Sequence, residues 1–251
     1  MLKIEHLRKS FGGVTAINDV SLHFQPGTLS AVIGPNGAGK TTFFNLVSGA
    51  LRPDSGRILF DGEDIAGESP SGIVRRGIGR AFQVASFFPS LTVEDSLMGA
   101  LLAHRGQATV VRRRFPLAET RLRAREVMEM LGLNEKADTL SHNLSHGDQK
   151  LLDIALALVL QPRVLLLDEP TAGMGPEERW QMIDKVYRLW ESERMTLVFI
   201  EHDMDIVFKI SQSVRVLCYG KVLAEGTPAD IRANPAVIEA YLGAPAQEAA
   251  A

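Results

Sequence analysis

The first sixty residues contain short runs in which apolar and polar positions alternate, a pattern typical of strands in a half-buried sheet. The pairs Gly12-Gly13 and Pro26-Gly27 separate these runs and mark turns. An Asp-Gly pair at positions 61 and 62 closes the last run in the same way. The predicted strands are Leu2–Leu7, Val20–Phe24, Leu29–Ile33 and Arg57–Phe60. Together they predict a β-rich N-terminal subdomain.

Helical spacing replaces the alternation from about residue 90. Helices are predicted to begin at Thr92 and to span Ala118–Leu131, and we assign them to a helical lobe inserted at about residues 86–160. Beyond the lobe, helices and strands alternate, which favours a parallel α/β core in one domain over residues 1–243. Residues 244–251 are predicted to be a disordered tail. The later predicted elements are the helices Gln149–Leu160, Pro176–Arg194 and Pro235–Leu242, and the β segments Val164–Leu167, Thr196–Ile200 and Val214–Glu225.

Composition narrows the classes of function. The 251 residues include 27 basic and 30 acidic side chains, so the net charge of −3 gives no general footprint for nucleic acid. The single cysteine, Cys218, excludes an intramolecular disulfide and suits a reducing compartment. The N-terminus lacks the apolar core of a signal peptide, and no apolar stretch reaches the roughly 18 residues that span a bilayer. We therefore expect a soluble, cytoplasmic protein that would need a partner for any role at a membrane.

One glycine-rich segment matches the phosphate-binding pattern G-x-x-x-x-G-K-[ST] and lies between a predicted strand and a predicted helix. Glycines let such a loop fold tightly with its N–H groups pointing inward, and the following helix dipole adds positive potential. Lys40 is expected to reach the β- and γ-phosphates, and the Thr41 hydroxyl to bind Mg²⁺. The segment therefore predicts binding of a nucleoside triphosphate. Its predicted ligand-binding residues are Gly34, Pro35, Asn36, Gly37, Ala38, Gly39, Lys40, Thr41 and the adjoining Thr42.

A second segment supplies the carboxylates that a triphosphate site needs. Val164–Leu167 is an apolar run typical of a buried parallel strand, and Asp168 and Glu169 follow it directly. Asp168 is predicted to bind Mg²⁺, and Glu169 is predicted to act as the general base that activates water.

The segment Leu144-Ser145-His146-Gly147-Asp148 matches the Leu-Ser-Gly-Gly-Gln signature in three of five positions. With the two segments above, it makes nearly the whole chain resemble the ATP-binding subunits of ABC transporters. The resemblance implies a P-loop NTPase core (ABC ATPase) of α/β class with an N-terminal β subdomain and an inserted helical subdomain. It also implies that Ser145 and Gly147 contact the γ-phosphate of ATP on a second subunit, with a helix N-terminus behind them. His146 and Asp148 depart from the pattern, and the role of Asp148 stays open.

Further roles follow from the same resemblance. Gln83 resembles the Gln-loop residue that senses Mg²⁺ and the attacking water and signals to the membrane subunit. A lone His is usually structural, but His202 follows the last core strand and resembles the switch His that contacts the γ-phosphate. Phe11 resembles the aromatic residue that stacks on adenine. Gly175 stands where the family usually has an acidic or amide residue, which suggests weaker communication between two ATP sites.

Several segments resemble one branch, the ATPase subunits of branched-chain amino acid importers. The branch also contains importers of urea and other amides and is close to lipopolysaccharide-export ATPases, so cargo and direction stay open. The expected assembly joins two ATPase subunits, identical or homologous, to transmembrane permease subunits at the cytoplasmic face of the inner membrane. A solute-binding protein is expected as an indirect partner, and no nucleic acid is expected to bind. The segments are residues 43–49, 77–83, 91–95, 202–204 and 237–243.

Two other classes of ATPase or GTPase explain less of the chain. A soluble ABC ATPase acting on ribosomes or DNA usually has two such domains or a long coiled coil, whereas this chain has one domain and no heptads. A stand-alone signalling GTPase would leave the segment at residues 144–148 unexplained.

Overall fold

The computed structural model describes residues 1–81, 88–106 and 118–242, which form two compact units. The first unit comprises Met1–Pro70 and Thr196–Ala251, and the second comprises Ser71–Met195. The Gln83 prediction and the predicted tail at residues 244–251 lie outside the described residues.

The described strands and helices follow the predicted order, with additional short elements. In chain order they are β1 (Leu2–Phe11), β2 (Val14–Phe24), β3 (Leu29–Ile33), α1 (Lys40–Val47), β4 (Ser55–Phe60), β5 (Glu63–Asp64), α2 (Pro70–Arg76), β6 (Ile78–Ala81), α3 (Val93–His104), α4 (Ala118–Leu131), α5 (His146–Leu158), β7 (Val164–Asp168), α6 (Pro176–Glu193), β8 (Thr196–Ile200), α7 (Met204–Ile210), β9 (Ser213–Cys218), β10 (Lys221–Gly226), α8 (Pro228–Ala233) and α9 (Pro235–Leu242). Among the described residues, no helix is both long and apolar enough to span a bilayer.

The first unit contains an antiparallel sheet in the order β2-β1-β4-β5. The turn at Gly12-Gly13 is confirmed, and it joins β1 to β2 in a hairpin whose last pair is Phe11 and Val14. Both strands are longer than predicted. Their outer halves are exposed and lack the apolar alternation that marks a half-buried strand, so the pattern predicted only their inner halves.

The first unit also contains β3 with β8 and β9 parallel on either side, and β10 antiparallel to β9. All five residues of β3 are buried, as expected for a strand covered on both faces, and the predicted bounds of β3 and β8 are confirmed. The β segment predicted at Val214–Glu225 is two strands. Tyr219 and Gly220 both have positive φ (47° and 72°), and this backbone favours a two-residue hairpin turn.

The second unit pairs β6 with β7 in parallel and packs the helices α3, α4 and α5 against one another. The predicted bounds of α4 are confirmed, and Thr92 caps α3 by accepting the Asp95 N–H at 3.1 Å. Glu94 lies buried on α3; it accepts a hydrogen bond at 2.8 Å from Arg125 Nε and forms an ion pair at 3.3 Å with Arg121, both on α4. The helical lobe at residues 86–160 stays a prediction.

Candidate functional site

The phosphate-loop segment, residues 34–41, leaves the carboxyl end of β3 in the first unit and leads into α1. Its shape requires glycine at two positions. Gly34 has φ 152°, and a Cβ there would lie 2.0 Å from the Leu217 carbonyl oxygen. Gly39 has φ 100°, and a Cβ there would lie 2.4 Å from the Ala16 carbonyl oxygen. Any larger residue would collide with backbone that cannot move aside, so the glycines of the motif serve this close packing as well as the turn.

Lys40 folds back over this loop. Its side chain is buried, and its Nζ donates hydrogen bonds to the carbonyl oxygens of Gly34 at 2.7 Å and Pro35 at 3.1 Å. Gly39, the N-cap of α1, has no side chain to cap the first turn, so the first amides of the helix are donors suited to an anion. Thr41 is exposed in that first turn. The segment thus combines a cation, backbone donors and a hydroxyl.

Backbone hydrogen bonds connect the loop to neighbouring β structure. The Gly220 N–H, in the turn between β9 and β10, donates to the Ala38 carbonyl oxygen at 3.1 Å. The Asn18 N–H on β2 donates in turn to the Gly220 carbonyl oxygen at 2.7 Å. The loop is therefore held by a backbone bond to the β9–β10 turn, and that turn is itself bonded to β2.

Two more predicted residues lie in the first unit. Phe11 ends β1 and is 47% exposed as a residue, and Lys9 Nζ lies 5.4 Å from its ring centroid. His202 is exposed in the turn between β8 and α7, where its N–H donates to Glu201 Oε2 at 3.0 Å. Asp203 caps α7 by accepting the Asp205 N–H at 3.1 Å. Local hydrogen bonds therefore fix the backbone around His202 and leave its imidazole exposed.

The second unit holds the two carboxylates at the end of β7. Asp168 is buried, and its Oδ2 accepts a hydrogen bond at 2.8 Å from Arg80 Nη2 on β6. Asp168 Oδ1 is also buried, and none of the residues that the structure describes donates a hydrogen bond to it. An unsatisfied, buried carboxylate oxygen is costly unless a ligand completes its coordination. This oxygen fits the predicted metal-binding role.

Glu169 follows with strained backbone. Its φ of 50° is rare for a residue with a side chain, and such strain concentrates at functional sites. The buried Lys150 of α5 donates to the Glu169 carbonyl oxygen at 2.9 Å, and the Ala172 N–H donates to the same oxygen at 3.1 Å. These bonds fix the backbone of the turn, and with it the position of the Cα atom that carries the half-buried Glu169 side chain.

The signature segment begins α5 in the same unit. Ser145 is the N-cap, and its Oγ accepts the Asp148 N–H at 3.2 Å while donating to Asp148 Oδ2 at 2.6 Å. His146 Nε2 lies 3.4 Å from the Ala172 carbonyl oxygen. Because Lys150 and His146 both contact the turn after β7, α5 links the signature segment to the Asp168–Glu169 pair.

The negative charge of Asp148 is compensated locally. Partial burial raises the pKa of its carboxyl, but hydrogen bonds from Lys136 and Ser145 outweigh burial, so the pKa lies below its usual value. Lys136 pairs directly with Asp148 Oδ2. A cavity of about 210 Å³ opens beside this group, lined by Ser145, Gly147, Asp148, Met174, Glu178 and Lys185. Lys136 therefore compensates the negative charge that Asp148 adds beside the N-terminus of α5.

Arg80, Lys136 and Lys150 support these predicted residues, and sequence reasoning missed them. Each is a single basic residue without a motif, and its partner is distant in sequence, as for Arg80 and Asp168. The one local signal is the position of Arg80, which follows Gly79 and lies three residues before the predicted Gln83.

Known families match the chain in two places. The ABC transporter family matches residues 17–172, and the branched-chain amino acid ATP-binding cassette transporter family matches residues 221–247. The chain is 39% identical to the high-affinity branched-chain amino acid transport ATP-binding protein LivG of Escherichia coli K12, over 97% of this chain and 98% of LivG. It is 38% identical to BraF of Pseudomonas aeruginosa, which has the same description, with the same coverage.

Solved structures agree on the fold. A nucleotide-free ATP-binding cassette from an ABC transporter is similar with a TM-score of 0.84 and 30% identity, over 97% of this chain and 99% of that one. The dimeric ATP-binding cassette MJ0796, bound to ADP and Pi after hydrolysis, is similar with a TM-score of 0.77 and 25% identity, over 91% of this chain and 99% of that one. This chain therefore belongs to the ABC transporter family, as an ATP-binding subunit whose ATPase activity is coupled to transport.

Proposed function

We propose that this chain drives the import of branched-chain amino acids or related small amides through a membrane transporter. The observation that carries the proposal is the family match at residues 221–247, which lies outside the ATP-binding motifs. Relatives named as branched-chain amino acid transport proteins, similar over nearly their whole length, support it.

ATP binding is assigned to the first unit. Lys40 binds the β- and γ-phosphates, the loop amides of residues 34–42 surround them, and Phe11 stacks on the adenine. The geometry supports this assignment because Lys40 Nζ already lies over the loop, within 2.7 Å of the Gly34 oxygen, and Phe11 presents an exposed ring.

Thr41 and Asp168 are the proposed protein ligands of Mg²⁺, with Gln83 as a third. The buried Asp168 Oδ1, which has no hydrogen-bond donor within the described part of the chain, fits such a ligand. Within the described ranges, no three His, Cys, Asp or Glu side chains form a group that would hold a metal by themselves, which suits an ion that takes much of its coordination from phosphate and water. When bound, Mg²⁺ neutralises charge on the phosphates.

Hydrolysis is assigned to Glu169 as general base, with His202 and Gln83 positioning the γ-phosphate and the water. Lys150 and the Ala172 N–H hold the Glu169 carbonyl oxygen, so the strained turn keeps the carboxylate in place before the reaction. Such preorganisation lowers the cost of reaching the reactive geometry.

Ser145 and Gly147 are proposed to contact ATP held by a second ATPase subunit, identical or homologous. The N-terminus of α5, with the Asp148 charge compensated by Lys136, supports anion binding there. ATP that bridges two subunits favours the closed dimer because it contacts both subunits only in that state. Loss of the γ-phosphate removes this contact, so the closed dimer is no longer favoured. Closure would act on permease subunits at the cytoplasmic face of the inner membrane, with a solute-binding protein delivering the cargo.

The test is a pull-down of the tagged chain from its native membranes in mild detergent, followed by mass spectrometry. We expect two polytopic permease subunits, a second ATPase and a solute-binding protein. Uptake of radiolabelled leucine into proteoliposomes containing that complex, dependent on ATP and the binding protein, would establish import. Ribosomal proteins instead of permeases, or ATP-driven efflux of a lipid, would overturn the proposal.

A further inference from the structure

The Ser145 hydroxyl has a single proton, and a neighbouring carboxylate holds that proton. Ser145 Oγ donates to Oδ2 of Asp148, in the first turn of α5, at 2.6 Å. Ser145 Oγ also accepts the Asp148 N–H at 3.2 Å and so caps the helix. A serine hydroxyl donates one hydrogen bond and accepts through two lone pairs. The cap therefore uses a lone pair of Ser145, whereas the bond to the carboxylate uses its proton.

The proposed contact between Ser145 and ATP needs the same proton. Ser145 is exposed, so a ligand can reach its hydroxyl. Phosphate oxygens are strong acceptors, and the hydroxyl can donate to one of them only after it leaves the Asp148 carboxylate. A hydrogen bond to an ionised carboxylate is roughly twice as strong as one between neutral groups. This exchange of partners therefore reduces the affinity that Ser145 adds to ATP binding.

The Asp148 carboxylate keeps a second partner when the hydroxyl leaves. Lys136, in a short helix at Asn134–Lys136, pairs with the same Oδ2 atom that accepts the Ser145 proton. The Asp148 side chain is only 16% exposed, so the loss of every partner would be costly. Partial burial raises the pKa of Asp148, but the hydrogen bonds from Lys136 and Ser145 outweigh burial and lower it. The carboxylate is therefore charged at neutral pH and stays paired with Lys136.

We propose that Asp148 limits how strongly Ser145 binds ATP on a second subunit, because its carboxylate competes with the γ-phosphate for the Ser145 proton. Asp148 is thus a positioning residue that acts through Ser145, and Lys136 lowers the cost of releasing the hydroxyl. The inference rests on the proposed contact between Ser145 and ATP. A neutral side chain at position 148 would compete less, so the charge of Asp148 makes the closed dimer easier to reopen.

The test measures dimerisation in the Glu169→Gln background, where ATP is not consumed. Sedimentation at saturating ATP and Mg²⁺, with the second ATPase subunit present, gives the dissociation constant of the dimer. Asp148→Asn keeps the size of the side chain and should lower this constant about three- to tenfold per altered contact, since a charged acceptor becomes a neutral one. Glu135→Gln removes the charge of an exposed neighbour of Lys136 and should leave the constant unchanged. Melting temperatures without nucleotide check that each variant is folded.

Ser145→Ala separates competition for the proton from simple repulsion between Asp148 and the phosphate. Without the hydroxyl there is no proton to compete for, so adding Asp148→Asn to Ser145→Ala should change the dissociation constant less than about twofold. Both Ser145→Ala chains lack the helix cap, and this effect cancels in the comparison. An equal gain from Asp148→Asn with and without the Ser145 hydroxyl would overturn the inference, because repulsion does not depend on that hydroxyl.

Lys136→Met tests the second partner of the carboxylate. It should raise the dissociation constant of the dimer, and this loss should disappear when Asp148→Asn is also present. A loss that persists would overturn the role given to Lys136. If Ser145→Ala leaves the constant unchanged even beside Asp148→Asn, or if ATP produces no dimer, the proposed contact between Ser145 and ATP fails instead. The two failures can therefore be told apart.

Discussion

Arg80 and Asp168 form an ion pair whose side chains are only 6% and 1% exposed. Burying two charges is costly, and the pair is tolerable because each partner compensates the other. Arg80 bonds one carboxylate oxygen of Asp168 and leaves Oδ1 for another ligand. A single side chain therefore orients the carboxylate that we assign to the metal.

Arg80→Gln should leave the Asp168 charge buried without its partner and lower stability by about 3 kcal/mol. For a chain of this length that corresponds to roughly 6–12 °C in melting temperature, measurable by calorimetry without nucleotide. Arg57→Gln, which breaks the exposed pair with Glu5, is the control and should change the melting temperature little.

A double variant completes the test of the Arg80–Asp168 pair. Arg80→Gln with Asp168→Asn removes both charges, so it should recover part of the lost stability. If the losses from the two single variants simply add, the pair is not coupled and our account of the carboxylate's orientation is wrong.

Among the elements, helix beginnings carry much of the site. Four of the described helices use short polar side chains as caps: Thr92 for α3, Ser145 for α5, Asp203 for α7 and Thr227 for α8. The helix α6 differs, because its N-cap is Gly175 and its Glu178 side chain reaches back to accept the Gly175 N–H at 3.1 Å. The unusual residue at position 175 therefore costs α6 only a side-chain cap.

Gly175→Asp tests whether this position affects communication between ATP sites. The backbone is at φ −66°, and the nearest atom to an added Cβ is Glu178 Oε2 at 3.9 Å, so the side chain fits without strain. We expect the free energy of unfolding to change by less than about 0.5 kcal/mol, because the stabilisation from a new N-cap is offset by repulsion between the added carboxylate and Glu178. The Hill coefficient of ATP hydrolysis should rise.

Gly175→Ala is the matched control for that variant, since it adds a Cβ without a polar group. It should leave the Hill coefficient at the parent value. An Asp variant with an unchanged Hill coefficient would count against a role for this position in communication.

For the whole molecule, the closed dimer is the state that the proposed mechanism requires. It is supported by the likeness to the dimeric cassette MJ0796 and by Lys136, which compensates the Asp148 charge at the N-terminus of α5. Hydrolysis ends that state, so blocking hydrolysis without blocking binding should trap it.

Glu169→Gln is the variant for this purpose. It keeps the size of the side chain, so ATP should still bind, while hydrolysis should fall about 100-fold or more because the general base is lost. Size-exclusion chromatography with ATP and Mg²⁺ should show a dimer that the parent does not accumulate. Glu178→Gln, an acidic residue of the cap of α6, is the control and should hydrolyse ATP. Hydrolysis by Glu169→Gln at the parent rate would show that Glu169 is not the base.

Local patterns in the sequence predict the order and type of most elements and the two segments that we assign to ATP binding. The reason is local: β3, α4 and β8 are set by apolar periodicity, and the phosphate loop by glycines whose backbone angles few other residues adopt. The tertiary structure decided what depends on residues far apart in the chain. Arg80 pairs with Asp168 and Lys136 pairs with Asp148 because strands and helices bring them together, and no local pattern encodes such partners. Short-range propensity fixes a segment's backbone, whereas the partner of a buried charge or hydroxyl is chosen by packing.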